Sequence, residues 1–296
     1  MPNWDDLRVF LAVARGESLS RAGRDLKMDP ATVGRRITRL EQRLGAVLFV
    51  KSPQGYALTE AGERLLAPAE QAEGAFSTGI GAVTGLGGRL TGSIRIGAPD
   101  GCANFVLPQV CAAIQSENPG LEIQVLALPR VVNLSKREAD MAVTVSPPTA
   151  GRLTVQKICD YHLHLAAPHE TAGRITTLAD LQHEAVIGYI PDMIFDKELD
   201  YLSELGVSNV GLASNSISVQ LNLMRAGGGM GIAHDFAMPF APELRLVLTD
   251  LVALTRGFYL VRHASDRHSE RLNRFSTALV AGMRAEIARL ERLANA

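Results

Sequence analysis

Thr32, Arg35, Arg36, Arg39 and Arg43 recur at spacings of three and four, so on a helix they share one broad face. Guanidinium groups bind phosphates and carboxylates through forked N–H pairs, so such a face suits a polyanion. Up to Leu58 the chain carries ten basic and six acidic residues, and the remainder carries 20 basic and 25 acidic. The net charge of −1 therefore hides a basic head on an acidic body. That asymmetry is expected of a chain whose head alone meets nucleic acid.

Other reactive side chains are sparse. Cys102, Cys111 and Cys159 fit neither a zinc site nor a C-x-x-C redox pair. Redox sensing through one of them is the alternative function, with Cys102 best placed because a helix start lowers a thiol pKa. His162 and His164 alternate along a strand and share a face, but no third metal ligand is evident. No Gly-x-Ser-x-Gly elbow, P-loop, Gly-x-Gly-x-x-Gly fingerprint or His-Glu-x-x-His motif is present. Gly227-Gly228-Gly229 follows a helix and so cradles no phosphate. The expectation is a binding protein without cofactor or metal, not an enzyme.

The arginines need a scaffold. Leu7, Phe10, Leu11 and Ala14 mark a first helix over Asp5 to Ala14, stopped by Gly16. Ser20 is taken as the N-cap of a short second helix with Ala22, Gly23 and Leu26 turned inward, Gly23 allowing close approach. Asp29 then caps a third helix and Pro30 fills its first position. The connection is too short for an antiparallel pair and suits a helix-turn-helix. Val33, Ile37, Leu40 and Leu44 form the third helix's apolar stripe, and Gly45 ends it. Thr32, Arg35 and Arg36 are placed to reach base edges, with Arg39 and Arg43 on the phosphate backbone. Two short apolar runs around Lys51-Ser52-Pro53-Gln54-Gly55 read as a hairpin wing with Lys51 near phosphate.

From Thr59 a long helix carries Leu65, Ala69, Ala72, Phe76, Ile80 and Val83 on one seam, the pattern of a dimerisation helix. Gly85, Gly87 and Gly88 then suggest a linker.

These residues resemble the LysR-type transcriptional regulators. The similarity lies in Leu7 to Ala14, Ser18 to Ala22, Pro30 to Ile37, Leu40-Glu41, Leu44-Gly45, Leu48-Phe49 and Gly55 to Gly62, in order and spacing. Met28-Asp29 and Gly34 stand where the family often has Ser-Gln and Ser, and Gln54 and Ala57 replace wing positions that are often basic. These departures imply a different operator. The resemblance implies a winged helix-turn-helix over 1–58, with Ser20 and Arg21 joining the DNA contacts. It further implies a linker helix over 59–90 and an α/β effector domain over 91–296 like a type II periplasmic binding protein. Its subdomains are placed at about 91–162 with 265–296, and about 163–264. Implied partners are double-stranded DNA, a small-molecule effector, a second copy through the linker helix, a tetramer, and RNA polymerase if the chain activates transcription.

The body's own pattern agrees, since strand and helix signals alternate as in largely parallel α/β sheets. Strands are read at 93–97, 121–128, 141–145, 185–190, 210–213, 230–233, 244–248 and 258–261. A short helical stretch is expected between the second and third, and a helix closes the chain from Asp266 to Leu293. Open α/β sheets bind ligands beyond the carboxyl ends of their strands. That rule selects Asp100, Gly101, Cys102, Thr144, Ser146, Tyr189, Asn215, Ser216 and His234. Asp100 and Ser216 would equally serve as helix caps. Asp100 suggests a hydroxyl or amine on the ligand, while a helix N-terminus there suggests an anion; the sequence leaves the two opposed. With no long apolar run, no signal-like start and unpaired cysteines, the expected setting is the cytoplasm, off the membrane.

Overall fold

The computed structural model describes residues 3–52, 55–83, 89–127, 134, 138–194, 196–202 and 210–295. Pro53-Gln54 of the wing turn, the glycines 85, 87 and 88, Leu128 and most of the helical stretch after it lie outside the described residues. The chain divides into two compact units, Met1–Arg89 with Ser265–Asn273, and Leu90–Ala264 with Arg274–Ala296.

In the first unit, α1 (Trp4–Gly16), α2 (Leu19–Leu26) and α3 (Pro30–Leu44) precede a hairpin of β1 (Phe49–Ser52) and β2 (Gly55–Leu58). Phe49 is paired with Leu58. Helix α1 runs through Gly16, and Glu17 takes the left-handed turn at φ 48°. Ser18, not Ser20, caps α2 by accepting from Arg21 N–H, so Ser20 is an exposed first-turn residue. Asp29 caps α3 through Ala31 N–H at 2.8 Å, and Pro30 holds the first position. Gly23 is needed at the turn, because a Cβ there would lie 2.6 Å from the Met28 carbonyl oxygen. Val9, Phe10, Leu11, Val13, Ala22, Val33, Ile37, Leu40, Leu48 and Phe49 form one buried core. Each large side chain among them contributes roughly 1.5–3 kcal/mol of burial. Leu44 leaves the predicted stripe and is 39% exposed.

Helix α4 (Glu60–Val83) contains Pro68. Ala61, Leu65, Leu66 and Ala69 pack on the helix-turn-helix core, so the first half of the predicted seam serves its own unit. Farther along, Phe76 is 56% exposed and lies against Trp4, ring centroids 5.4 Å apart.

The second unit is built on one sheet. Helices α5 (Asp100–Phe105) and α6 (Leu107–Glu117) connect β3 (Gly92–Ala98) to β4 (Leu121–Ala127), and β5 (Met141–Thr144) follows. Strand β3 is parallel to both β4 and β5. A second parallel group comprises β7 (Val186–Gly188), β8 (Leu212–Ala213) and β9 (Met230–His234), with α8 (Ile217–Arg225) packed beside it. Two long strands, β6 (Leu153–Pro168) and β11 (Ala253–His263), join the groups. They are antiparallel to each other and to their outer neighbours, so the sheet is less parallel than the sequence suggests. Their register slips at one place: Phe258 pairs with Cys159 and Tyr259 with Lys157, leaving Ile158 as a bulge. The helix α7 (His169–Ala172) and the strand β10 (Leu244–Val247) border β6. Helix α9 (Glu270–Ala294) closes the chain with Leu279, Met283, Ile287 and Leu290 buried.

Candidate functional site

The polyanion face begins with Thr32 and Arg35, linked by an Arg35 Nη2 to Thr32 Oγ1 hydrogen bond of 3.0 Å. Arg35, Ser20, Arg21 and Lys51 are exposed. Arg36, Arg39 and Arg43 turn instead toward the start of α1. Asp6 is fully buried there, accepts hydrogen bonds from Arg39 and Arg43, and forms a looser ion pair with Arg36. Arg39 donates to it from Nε, at 3.2 Å, and from Nη2; Arg43 donates from Nη1 at 3.2 Å. Arg36 stands farther off, 3.7 Å from Asp5 and 3.9 Å from Asp6. A buried carboxylate is tolerated only when paired and hydrogen-bonded. Arg39 and Arg43 thus lock α3 to α1, a role the sequence reading missed. Each guanidinium has five N–H donors, so both retain donors for other acceptors.

Glu41 holds the wing. Its Oε1 accepts from Leu48 N–H at 2.7 Å and Phe49 N–H at 3.2 Å. Tyr56 N–H donates to the Glu17 carbonyl at 2.8 Å. Gly55 stands at φ 135°, where a Cβ would sit 2.2 Å from that carbonyl oxygen. Helix α3, the hairpin and the α1–α2 corner are thus joined to one another by hydrogen bonds.

In the second unit a small cavity opens beyond the ends of the parallel strands. Asp100, Gly101, Cys102, Tyr189, Asn215 and His234 line it, with Tyr161 and Phe258 from the two long strands. Only about 20 Å³ is open to water, room for about one water molecule. Aromatic rings fill the rest: Tyr161 stacks on Phe258 at 4.2 Å and on His234 at 5.4 Å. Tyr161 Oη, Tyr201 Oη and His234 Nδ1 are buried without a well-formed hydrogen bond. Burial pushes the His234 imidazole down to about 3, only partly offset by the Asp100 charge, so the ring is neutral. Burial likewise raises the Tyr161, Tyr189 and Tyr201 phenols, which stay protonated donors.

Three predicted positions lie off this cavity. Thr144 Oγ1 donates to the Ser146 carbonyl at 2.7 Å, and Ser146 Oγ donates to Asp196. Ser146 lines a neighbouring polar hollow of about 220 Å³ with Asp160, Glu198 and Arg256. Ser216 caps α8 and reaches the cavity only through Asp100. Tyr161, Tyr201 and Phe258 were not anticipated. The alternating burial of 161, 163 and 165 marks an inward strand face, but which residue meets the cavity depends on the crossing of the two long strands. His162 and His164 do not converge. His162 Nδ1 meets Glu291 at 3.0 Å and His164 Nδ1 meets Asp235 at 2.8 Å. Among the described residues no group of three or more His, Cys, Asp or Glu is arranged for a metal.

The cysteines behave opposite to the helix-start expectation. Burial pushes the Cys102 thiol well up, and raises Cys111 and Cys159 to about 11. Desolvation outweighs the helix field, leaving little thiolate near neutral pH.

A family model described as LysR substrate binding domain matches residues 87–284. Residues 4–63 match one described as bacterial regulatory helix-turn-helix protein, lysR family. The chain belongs to the LysR-type regulators. Among curated members of this family, it is 28% identical over 172 residues to the HTH-type transcriptional regulator PtxR of Pseudomonas aeruginosa, covering 58% of this chain and 55% of PtxR. It is 32% identical over 150 residues to the HTH-type transcriptional regulator IlvY of Escherichia coli, covering 49% and 50%. The chain thus spans about half the length of these relatives. Full-length LysG of Corynebacterium glutamicum, solved with its effector Arg, shares the fold of this LysR-type chain. Its TM-score is 0.59 at 21% identity, covering 95% of this chain and 98% of LysG. Among the described residues no helix is long and apolar enough to cross a membrane.

Proposed function

We propose that this chain is an effector-responsive, sequence-specific DNA-binding transcription regulator of the cytoplasm, and not an enzyme. The observation that carries the reading is the N-terminal half of α3, where Arg35 is exposed and Thr32 and Arg36 are part-exposed, on a helix-turn-helix fixed by Asp6 and Glu41. Thr32 and Arg35 face base edges, and Arg36 base or phosphate. Ser20, Arg21 and Lys51, with the spare donors of Arg39 and Arg43, grip the backbone. Two copies pair through the later half of α4, where Phe76 is exposed, and their heads read related half-sites. Pairs of dimers then form tetramers, and contact with RNA polymerase follows where the chain activates. The cavity around Asp100, Cys102, Tyr189, Asn215 and His234 binds the effector after opening from its present one-water volume. Its two parallel groups supply the closed and open states that a ligand biases.

A band shift with the DNA upstream of the chain's own gene tests this. Binding should weaken steeply with salt, and Lys51→Ala should reduce the salt slope by about one phosphate's worth. Arg35→Ala should cost about 1–3 kcal/mol and relax base preference. Loss of all sequence preference at moderate salt in the unmodified chain rules the reading out. The redox alternative would have to draw on Cys102, Cys111 or Cys159, whose thiols burial raises.

A further inference from the structure

Asp100, at the start of α5, meets the start of a second helix, α8, in the fold. Helix α8 has nine residues and is capped by Ser216. Asp100 Oδ2 accepts from Ser216 Oγ at 3.0 Å, Ser218 N–H at 2.9 Å and Ser218 Oγ at 3.0 Å. Asp100 Oδ1 accepts from Asn104 Nδ2 at 3.0 Å. Val219 N–H is already taken by Ser216 Oγ at 3.2 Å. A helix start of this kind recognises an anion through its free amides and its dipole. Here the chain supplies that anion from its own sequence: Ser218 N–H is spent on Asp100 and Val219 N–H on the Ser216 cap.

A second observation concerns what remains open beside this contact. Tyr161 and His234 are 0% and 4% exposed, line the same cavity as Asp100, and each keeps a buried polar atom without a well-formed hydrogen bond. A buried polar group left in that state is destabilising, so the cavity calls for hydrogen-bond partners. It does not call for a counter-charge, because its cation-capable ring, His234, is held neutral by burial. An entering carboxylate or phosphate would meet the Asp100 charge in a desolvated space, where like charges repel strongly.

We propose that Asp100 is a built-in anion that occupies the start of α8 and closes this cleft to anionic effectors. The class left to it is a non-anionic molecule with hydrogen-bonding groups. The inference rests on the reading of this cavity as the effector site.

The test uses the full chain, with acetate as the anionic probe and acetamide as its uncharged isostere, at constant ionic strength. Calorimetry follows the melting of the second unit. The unmodified chain should not respond to 100 mM acetate. Asp100→Ala vacates the anion position, and acetate should then raise its melting temperature by roughly 3 °C while acetamide leaves it unchanged. If Asp100→Ala folds poorly, its refolding yield in acetate against equal sodium chloride reads the same quantity, and a higher yield in acetate is the supporting result. Two outcomes overturn the proposal: acetate stabilises the unmodified chain as much as the variant, or the variant responds no more to acetate than to its controls. A band shift on the same samples separates the readings, because intact DNA binding beside a failed acetate result sinks the anion assignment alone.

Discussion

Replacing Asp6 by alanine removes the acceptor on which three arginines of α3 converge. The cost follows from the contacts. Arg39 makes two hydrogen bonds to the carboxylate and Arg43 one. A hydrogen bond to a charged group contributes about 1.5–3 kcal/mol when enclosed. The carboxylate is enclosed, but the two guanidinium side chains are 46% and 44% exposed, so water recovers part of the loss. About 1 kcal/mol per bond is the reasonable value, or about 3 kcal/mol in all. The head should therefore unfold at a urea midpoint lower by roughly 2 M. The chain has a single tryptophan, Trp4, which lies in α1 beside Phe76, so its fluorescence follows this unit. Asp5→Ala is the matched control, since Asp5 is half-exposed and makes one loose ion pair, at 3.7 Å. That change should cost less than about 0.5 kcal/mol. A loss below about 1 kcal/mol for Asp6→Ala, or one no larger than for Asp5→Ala, refutes the assignment of Asp6 as the anchor of α3.

Gly23→Ala should destabilise the head by about 2 kcal/mol or more, because its Cβ would press on the Met28 carbonyl at 2.6 Å; urea unfolding followed at Trp4 measures it. Cys102 should resist a thiol-reactive dye at neutral pH until the chain is unfolded, as its burial raises the thiol pKa; rapid labelling of the native chain contradicts this. His234 titrates near 3 when folded and near 6.5 when unfolded. Between those values the unfolded state binds the extra proton, so stability rises with pH and is lost as pH falls. The stability of the second unit should fall by up to about 1.4 kcal/mol per pH unit below 6.5, a slope that His234→Gln should lack.

The features legible in the sequence were local ones. Asp29-Pro30 announces the start of α3 because cap and first-turn chemistry act within two residues. The core stripe of α3 is legible because burial follows the helical period, and it errs only at Leu44, where the helix runs out beyond its neighbours. The role of Arg39 was hidden because an arginine on a helix face looks the same whether it meets phosphate or an acid 33 positions away. Tyr161 was hidden for a related reason: a strand shows which residues face inward, while the cavity is made by the crossing of β6 and β11. Asp100 shows the limit most clearly. Its residue type and its place at a helix start point to different ligands, and the contacts with Ser216 and Ser218 on which the proposal rests lie more than 110 positions away in the sequence.

The bulge at Ile158 has a mechanical consequence. Every rung of the β6–β11 ladder resists bending except the one where the register slips, so the stiffness of the paired strands is lowest there. Phe258 sits on that rung, and its ring is stacked on Tyr161, which lines the cavity. A molecule that wedges between these rings pushes at the fulcrum of the sheet and not at the end of a lever. Deleting Ile158 would restore an unbroken register and should stiffen this rung without removing a residue that lines the cavity.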